Sequence, residues 1–194
     1  MENQLLQIQS GKSISRLADN KDLDVPPLYS YNQECLNHDL SGLPHNDTDN
    51  IKQFKTAAKV DLLEEGDLVF SFISGKAAIV QKDHAGYYYS HGFAKITTSE
   101  ILDKSYLCFL LNEHPIIKEQ MKKSNTGAVV KSINKDDLLR LELPPLPPLE
   151  TQQMIGRLYQ LEEKIQALKS RKLEIQKTVF YYQLGKEVTN IGIH

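Results

Sequence analysis

The sequence contains little of several features that would place it in a specialised class of protein. Its 194 residues include two cysteines and no tryptophan. Cys35 and Cys108 lie far apart and not in a Cys-x-x-Cys spacing, so neither a disulfide framework nor a structural zinc site is indicated. The six histidines form no His-x-x-x-His or His-Glu-x-x-His pair, so no metal site is expected.

Long apolar runs and an excess of one charge are absent too. The longest nearly apolar stretch, Tyr106–Leu111, is too short to cross a bilayer. The start of the chain has no basic segment followed by an apolar one, which a secretion signal requires, so we expect a cytoplasmic protein. The 23 basic and 25 acidic residues give a net charge of −2, which by itself does not point to a nucleic-acid ligand.

Catalytic motifs are missing as well. No Gly-x-Ser-x-Gly, Gly-x-Gly-x-x-Gly or complete P-loop pattern is present. The acidic pairs Glu64-Glu65 and Asp136-Asp137 are interpreted as turn and helix-start residues rather than as a general acid and base. The sequence therefore predicts no enzyme, and no cofactor bound by this chain.

The first half of the chain predicts short strands and loops. Residues 1 to 60 are polar and rich in turn formers. Residues 68–73 and 77–80 are apolar and β-branched, and Ser74-Gly75-Lys76 separates them, which is typical of a hairpin. Two further strands are predicted at 87–89 and 93–96.

A helical period follows Thr98. Apolar residues recur every three or four positions up to Met121, and Pro115 is expected to start a second helix. A short strand is predicted at 128–130. Asn134 begins a further helix, and another strand is expected before the prolines.

The chain changes character at a proline-rich joint, Leu143–Leu149. Four prolines in five positions end any helix or central strand. Beyond them, the sequence predicts a helix over 149–184 and a tail over 185–194, following an α+β domain over 1–148. A heptad stripe, interrupted only by Lys172, is formed by Leu158, Leu161, Ile165, Leu168, Ile175, Val179 and Tyr182.

Together these features resemble the specificity subunit of type I restriction–modification systems. The resemblance rests on the hairpin around Gly66-Asp67-Leu68-Val69-Phe70, on Asn125-Thr126-Gly127 and on the Pro-Leu-Pro-Pro-Leu joint followed by Gln152 and the heptad helix. It implies a globular mixed α/β target recognition domain followed by a coiled-coil helix. Such subunits usually carry two recognition domains and two helices, whereas this chain has one of each, either as a natural half-length form or as a fragment.

The resemblance also implies a function. The chain would be a noncatalytic DNA sequence-recognition subunit that reads one half of a bipartite target. It would bind a methyltransferase subunit, which holds S-adenosylmethionine, and possibly a restriction subunit. An unpaired heptad stripe predicts an antiparallel homodimer; the alternative is a helix that packs its stripe on its own domain.

Candidate DNA contacts come from three segments. The turn Ser74, Gly75 and Lys76 can approach phosphates or base edges. The basic segment offers Lys122, Lys123, Ser124, Thr126 and Lys131. The tyrosine strand offers Tyr88 (or else Tyr87 with Tyr89) and His91. N-terminal loop residues Asn32, Gln33, His45 and Asn46 are also compatible with reading bases.

Charge leaves a second function open. Residues 1–148 hold 16 basic and 20 acidic residues, which disfavours nonspecific attraction to phosphates. A coiled-coil adaptor or inhibitor that binds the methyltransferase subunit without reading DNA is the alternative.

Overall fold

A computed structural model describes residues 5–17, 24–43, 51–123 and 133–191, with side chains up to Glu187. The strands are β1 (Leu6–Ser10), β2 (Leu28–Tyr31), β3 (Gln53–Phe54), β4 (Leu68–Ser71), β5 (Ala77–Ile79), β6 (Tyr88–Tyr89) and β7 (Phe93–Thr98). The helices are α1 (Gln33–Ser41), α2 (Lys104–Glu113), α3 (Pro115–Lys123), α4 (Lys135–Leu139) and α5 (Leu149–Ile191). The predicted α+β class is confirmed.

A four-stranded antiparallel sheet in the order β1-β7-β4-β5 organises the domain. The predicted hairpin is confirmed, because β4 pairs with β5 through Val69 and Ala78. Every residue of β4 is buried, which explains its continuous apolar run. Leu68 and Phe70 pack into the core beneath α2, whereas Val69 packs on the opposite side, toward α1.

A smaller sheet in the order β3-β2-β6 closes the N-terminal side. Strand β2 pairs antiparallel with β3 and parallel with β6. Tyr88 of β6 is buried against Phe54 and Leu17. Its hydroxyl donates to the carbonyl oxygen of Lys12 at 2.7 Å, so this ring is part of the core.

Three sequence expectations need correction or fall outside the described residues. Helix α1 was not expected among the short strands and loops of the N-terminal region; Asn32 caps it by accepting a hydrogen bond from the amide of Cys35 at 2.9 Å. The strand expected before the prolines is wrong, because residues 140–148 pass from α4 to α5 without pairing. The strand predicted at 128–130 lies outside the described residues.

The helical segments follow the sequence closely. Helix α2 ends at Glu113 and α3 begins at Pro115, as the proline predicted. Helix α4 carries a capping box, in which Asn134 and Asp137 each accept a hydrogen bond from the other's backbone amide. The Asp136-Asp137 pair therefore starts a helix, as expected.

Helix α5 begins at Leu149, directly after the proline joint, and continues to Ile191. The predicted end at residue 184 and the separate tail are wrong at this boundary, because the helix passes through Gly185. One glycine costs a helix only about 1 kcal/mol, and no proline follows to end it. At about 1.5 Å per residue, α5 is roughly 64 Å long. Despite this length, none of the described helices is apolar enough to cross a membrane.

The first turns of α5 are fixed to the start of α2 by Gln152, which is 1% exposed. Its amide nitrogen donates to the carbonyl oxygens of Ile101 at 3.0 Å and Pro147 at 2.8 Å. Its amide oxygen accepts from the backbone N–H of Asp103 at 2.9 Å. The glutamine after the proline joint therefore satisfies three backbone groups at once, which fixes where the helix starts.

Two further residues of the same face complete this contact. A Cβ atom at Gly156 would lie 2.6 Å from the Cβ atom of Ser105, so only glycine permits this approach of α5 to α2. Tyr159 is buried, and its hydroxyl accepts from the amide of Asn112 at 2.8 Å. Asn112 in turn bonds both backbone groups of Ala77 in β5, so α5, α2 and the sheet are linked.

A buried polar cluster joins α1 to the segment between β5 and β6. His84 Nδ1 lies 2.7 Å from an Asp39 carboxylate oxygen, and both side chains are fully buried. Tyr31 donates to the other carboxylate oxygen at 2.7 Å. Burial lowers the pKa of His84. Its hydrogen bonds with Asp39 and Cys35, together with the charge of Asp39, outweigh this effect and raise the pKa to about 9.

Replacing Gly156 by alanine should destabilise the domain by about 1 to 3 kcal/mol, because the new methyl group overlaps Ser105. Gly185 provides a matched control, since no atom lies within 4 Å of the position of its Cβ. There, Gly185→Ala should stabilise the helix by up to about 1 kcal/mol. Thermal unfolding followed by circular dichroism measures both, and effects of equal sign would contradict this packing.

The buried imidazole should make stability depend on pH. Because the pKa of His84 is raised to about 9 in the folded protein, its contribution is complete below about pH 6.5, the unfolded value. It should be lost as the pH rises through 9, by roughly 3 kcal/mol. Urea unfolding between pH 6 and 9.5 tests this. The His84→Gln variant should lose most of this slope, whereas His91→Gln, at an exposed turn, should keep it.

Candidate nucleic-acid interface

Several loops meet at one end of the four-stranded sheet. The amide of Phe72, in the β4–β5 turn, donates to the carbonyl oxygen of Gly92 in the β6–β7 turn at 3.0 Å. The amide of Gly11, at the end of β1, donates to Phe93 at 3.2 Å. Ser71 donates to the side chain of Gln33 at 3.0 Å. These contacts define the turn face, formed by residues 11–13, 32–33, 73–76 and 90–92.

Helix α3 adds its C-terminal end to this face. A groove of about 240 Å³ separates the β4–β5 turn from α3. It is lined by Ser74, Gly75, Lys76, Leu111, Asn112, Lys118, Met121, Lys122 and Ile133. Two segments predicted independently, the Ser74–Lys76 turn and the basic segment beginning at Lys122, therefore lie side by side.

The charges along this groove are partly paired. Lys76 and Lys118 contact the two carboxylate oxygens of Glu113 at 2.9 and 3.1 Å. Partial burial raises the pKa of Glu113, but hydrogen bonds from the two lysines outweigh this, so the pKa falls below its usual value. Lys123 pairs with Glu119 at 2.8 Å in an exposed position. Four lysines thus face two glutamates, a local excess of positive charge.

Lys122 differs from its neighbours. Within the described ranges it forms no ion pair, and it lines the groove beside Lys76. By contrast, the Lys76 ammonium group is engaged by Glu113, and it also lies 3.5 Å from the carbonyl oxygen of Asn112. Lys76 is therefore partly compensated by Glu113, which it shares with Lys118, and Lys122 is the better candidate for contact with an anion.

Several hydrogen bonds hold the β4–β5 turn. Ser71 is fully buried; its backbone carbonyl accepts from Gly75 at 2.9 Å, and its amide donates to Lys76 at 2.8 Å. Its hydroxyl oxygen accepts from the amide of Ser74 at 3.2 Å. Gly75 has a φ of 67°, a conformation that favours glycine. The turn is therefore a rigid protrusion.

The tyrosine strand does not contribute its rings to this surface. Tyr87, Tyr88 and Tyr89 are 8%, 3% and 1% exposed. The expectation that Tyr88, or Tyr87 with Tyr89, faces a ligand is wrong, because β6 lies between two layers of the core and its side chains are covered on both faces. His91 is exposed in the following turn and remains a candidate.

Other candidates are occupied or lie outside the described residues. Asn32 is engaged in capping α1, and Gln33 bonds Ser71 and Asn37. Outside the described residues lie Ser124, Thr126, Lys131, His45 and Asn46. Sequence reasoning missed Ile73, which it assigned to the end of β4; the structure places it in the turn, 74% exposed. Alternation alone gave no signal to separate this residue from the strand.

The heptad stripe of α5 is exposed along its whole length. Its seven apolar members range from 44% exposed at Ile165 to 64% at Tyr182. At about 100° per residue, the stripe lies opposite the face formed by Gln152, Gly156 and Tyr159. The alternative in which the stripe packs on its own domain is therefore wrong, since a different face of α5 makes that contact. No cluster of three or more potential metal ligands occurs in the described part of the chain.

Comparisons with known proteins identify one matching family and several solved structures with a similar fold. The model of the type I restriction modification DNA specificity domain matches residues 3–177. No curated protein matches this sequence. A chain of a solved type I R-M system has 19% identity over 92% of this chain, with a TM-score of 0.58. The HsdS subunit from Thermoanaerobacter tengcongensis has 22% identity over 86%, with a TM-score of 0.53.

A third solved structure shares the fold. The type I restriction-modification S subunit from M. genitalium has 13% identity over 86% of this chain, with a TM-score of 0.52. In the three cases the matched region is 41%, 37% and 39% of the solved chain. This chain therefore spans about two fifths of the length of the solved chains it matches.

Proposed function

This chain belongs to the family of type I restriction modification DNA specificity domains, and on that premise we propose that it recognises one half of a bipartite DNA target. The observation that carries the proposal is the turn face. It gathers a rigid turn, an exposed histidine and the lysines of α3 at one end of the sheet. Backbone amides, hydroxyls and ammonium groups are the donors that position DNA phosphates.

Local charge supports this role where total charge does not. The acidic residues of 1–148 outnumber the basic ones, but several of them are buried or paired with a basic side chain. Asp39 is buried, and Asp61 and Asp67 pair with Lys95. An overall acidic domain can therefore present a positive groove, although its long-range attraction for DNA is weak.

The helix supplies the second half of the proposal. An exposed apolar stripe of this length requires a partner, and we infer a second copy of the chain. If positions that sum to 340 face each other, six of the seven members of the stripe pair antiparallel with another member: Leu158 with Tyr182, Leu161 with Val179, and Ile165 with Ile175. The seventh, Leu168, faces Lys172. The homodimer then carries two recognition domains (residues 1–148) at opposite ends of a helical spacer and reads an inverted repeat.

Catalysis belongs to other subunits in this proposal. The chain would act in the cytoplasm and bind a methyltransferase subunit, which holds S-adenosylmethionine, and possibly a restriction subunit. This assignment rests on membership of the family, together with the apolar residues of α5 that the proposed dimer leaves exposed, Leu173, Phe180 and Leu184. The chain itself needs no cofactor for DNA recognition.

The unpaired lysine should contribute directly to DNA binding. Lys122→Ala should weaken binding to all duplexes and reduce the slope of log K against log salt by about one unit, the signature of one lost phosphate contact. Lys82→Ala removes the same charge from an exposed position at the other end of β5 and should leave the slope unchanged. Fluorescence anisotropy across a salt series, with and without the methyltransferase subunit, measures both.

Cysteine cross-linking should reveal the orientation of the helices. We expect disulfide-linked dimers when Leu161→Cys and Val179→Cys chains are mixed, because the antiparallel register brings these positions together. Each variant alone should remain uncross-linked. The two native cysteines are buried and do not compete. Cross-linking of each variant with itself would indicate parallel helices, and a monomer by light scattering would refute the dimer.

An adaptor or inhibitor that binds the methyltransferase subunit without reading DNA is the second candidate. The acidic balance of residues 1–148 favours it. It predicts tight binding to the methyltransferase subunit, and DNA binding that shows neither sequence preference nor a response to Lys122→Ala. A selection from randomised duplex DNA, performed with the methyltransferase complex, separates the two functions.

A further inference from the structure

An isoleucine side chain projects from the turn face. Ile73 is 74% exposed, more than any other large apolar residue in the described part of the chain. It lies between the buried Phe70–Ser71 segment of β4 and the polar residues Ser74, Gly75 and Lys76. Scattered apolar residues on a surface are ordinary; what distinguishes Ile73 is the rigidity of its support and the surface on which it lies.

The backbone on both sides of Ile73 is fixed. The amide of Phe72 donates to Gly92 at 3.0 Å, and the amide of Ser74 donates to the buried hydroxyl of Ser71 at 3.2 Å. That hydroxyl is itself held by Gln33 of α1. A β-branched side chain also has few rotamers. The backbone position of the isoleucine is therefore fixed and its side chain has few rotamers, so its contact with a ligand costs little conformational entropy.

Gly92 supports the side chain from below. A Cβ atom at Gly92 would lie 3.4 Å from the Cδ1 atom of Ile73, so the isoleucine rests over the backbone of the β6–β7 turn. The residues next to Ile73 and Gly92 along the two turns carry hydrogen-bonding groups: Ser74 follows Ile73, and the exposed His91 precedes Gly92. Ile73 is thus an exposed apolar side chain on the otherwise polar turn face.

We propose that Ile73 is a specificity-determining residue that contacts the C5-methyl group of a thymine in the major groove. This inference rests on the proposed DNA-reading function and deepens it. In the major groove a thymine presents a methyl group, which an apolar side chain recognises and which no other unmodified base of DNA offers. The surrounding polar groups hold phosphates and base edges, while Ile73 selects the base by its methyl group.

The experiment deletes each methyl group separately. First, the full chain, in complex with the methyltransferase subunit if needed, selects its preferred site from randomised duplex DNA. Then each thymine of that site is replaced singly by deoxyuridine, which lacks only the methyl group. At one position the wild-type protein should lose about fourfold in affinity, as expected for one buried methyl group. Ile73→Ala should lose at least fourfold on the thymine duplex and bind both duplexes equally.

A matched variant controls for the loss of apolar surface. Ile101 is 57% exposed but follows the far end of β7, so Ile101→Ala should retain the wild-type discrimination between thymine and deoxyuridine. If Ile73→Ala weakens binding to both duplexes equally and the wild-type discrimination is preserved, Ile73 inserts between bases instead, and the inference is overturned. It is also overturned if the wild-type protein binds every deoxyuridine duplex as tightly as the thymine duplex. Failure to select any sequence would instead overturn the proposed function.

Discussion

The arrangement of the molecule depends on the way α5 is seated on α2. Gln152 bonds three backbone groups, and Gly156 allows the two helices to approach until no side chain fits between them. Tyr159 continues the contact through Asn112 to β5. Because buried backbone groups without partners are costly, this seat holds α5 in one direction relative to the sheet. In the proposed dimer, the direction of the helix thereby determines where the turn face lies relative to the second copy.

The features that depend on local rules were predictable from the sequence. The hairpin around Gly75, the helix break at Pro115, the cap at Asn134 and the start of α5 at Leu149 each follow from neighbouring residues. Features that depend on distant partners were not predictable. Helix α1 buries Cys35 and Leu36 in the core and pairs its Asp39 with His84, 45 residues away, and weak alternation in the N-terminal region gave no sign of it.

In the candidate site, too, the residues could be predicted from local sequence, but their spatial arrangement could not. The turn residues and the basic end of α3 were identified separately, but only the fold shows that they line one groove. Tyrosines in a short strand were expected to alternate between core and surface; Tyr88 is buried because the small sheet has core on both faces. The pairing of Lys76 with Glu113 depends on the packing of α2 against β5, which residue spacing cannot supply. Charge counted over the whole domain was misleading for the same reason.

The two faces of α5 have a consequence for how proteins of this architecture change over time. The residues that seat the helix, Gln152, Gly156 and Tyr159, lie in its first turns, whereas the exposed stripe runs from Leu158 to Tyr182 on the opposite face. A substitution in one set therefore does not touch the other. A different recognition domain could be joined to the same helix if it offered two carbonyl groups and one amide to Gln152, and a small residue opposite Gly156. Under the proposed function, target preference and dimer assembly can therefore diverge separately, with the proline-rich joint as the point of exchange.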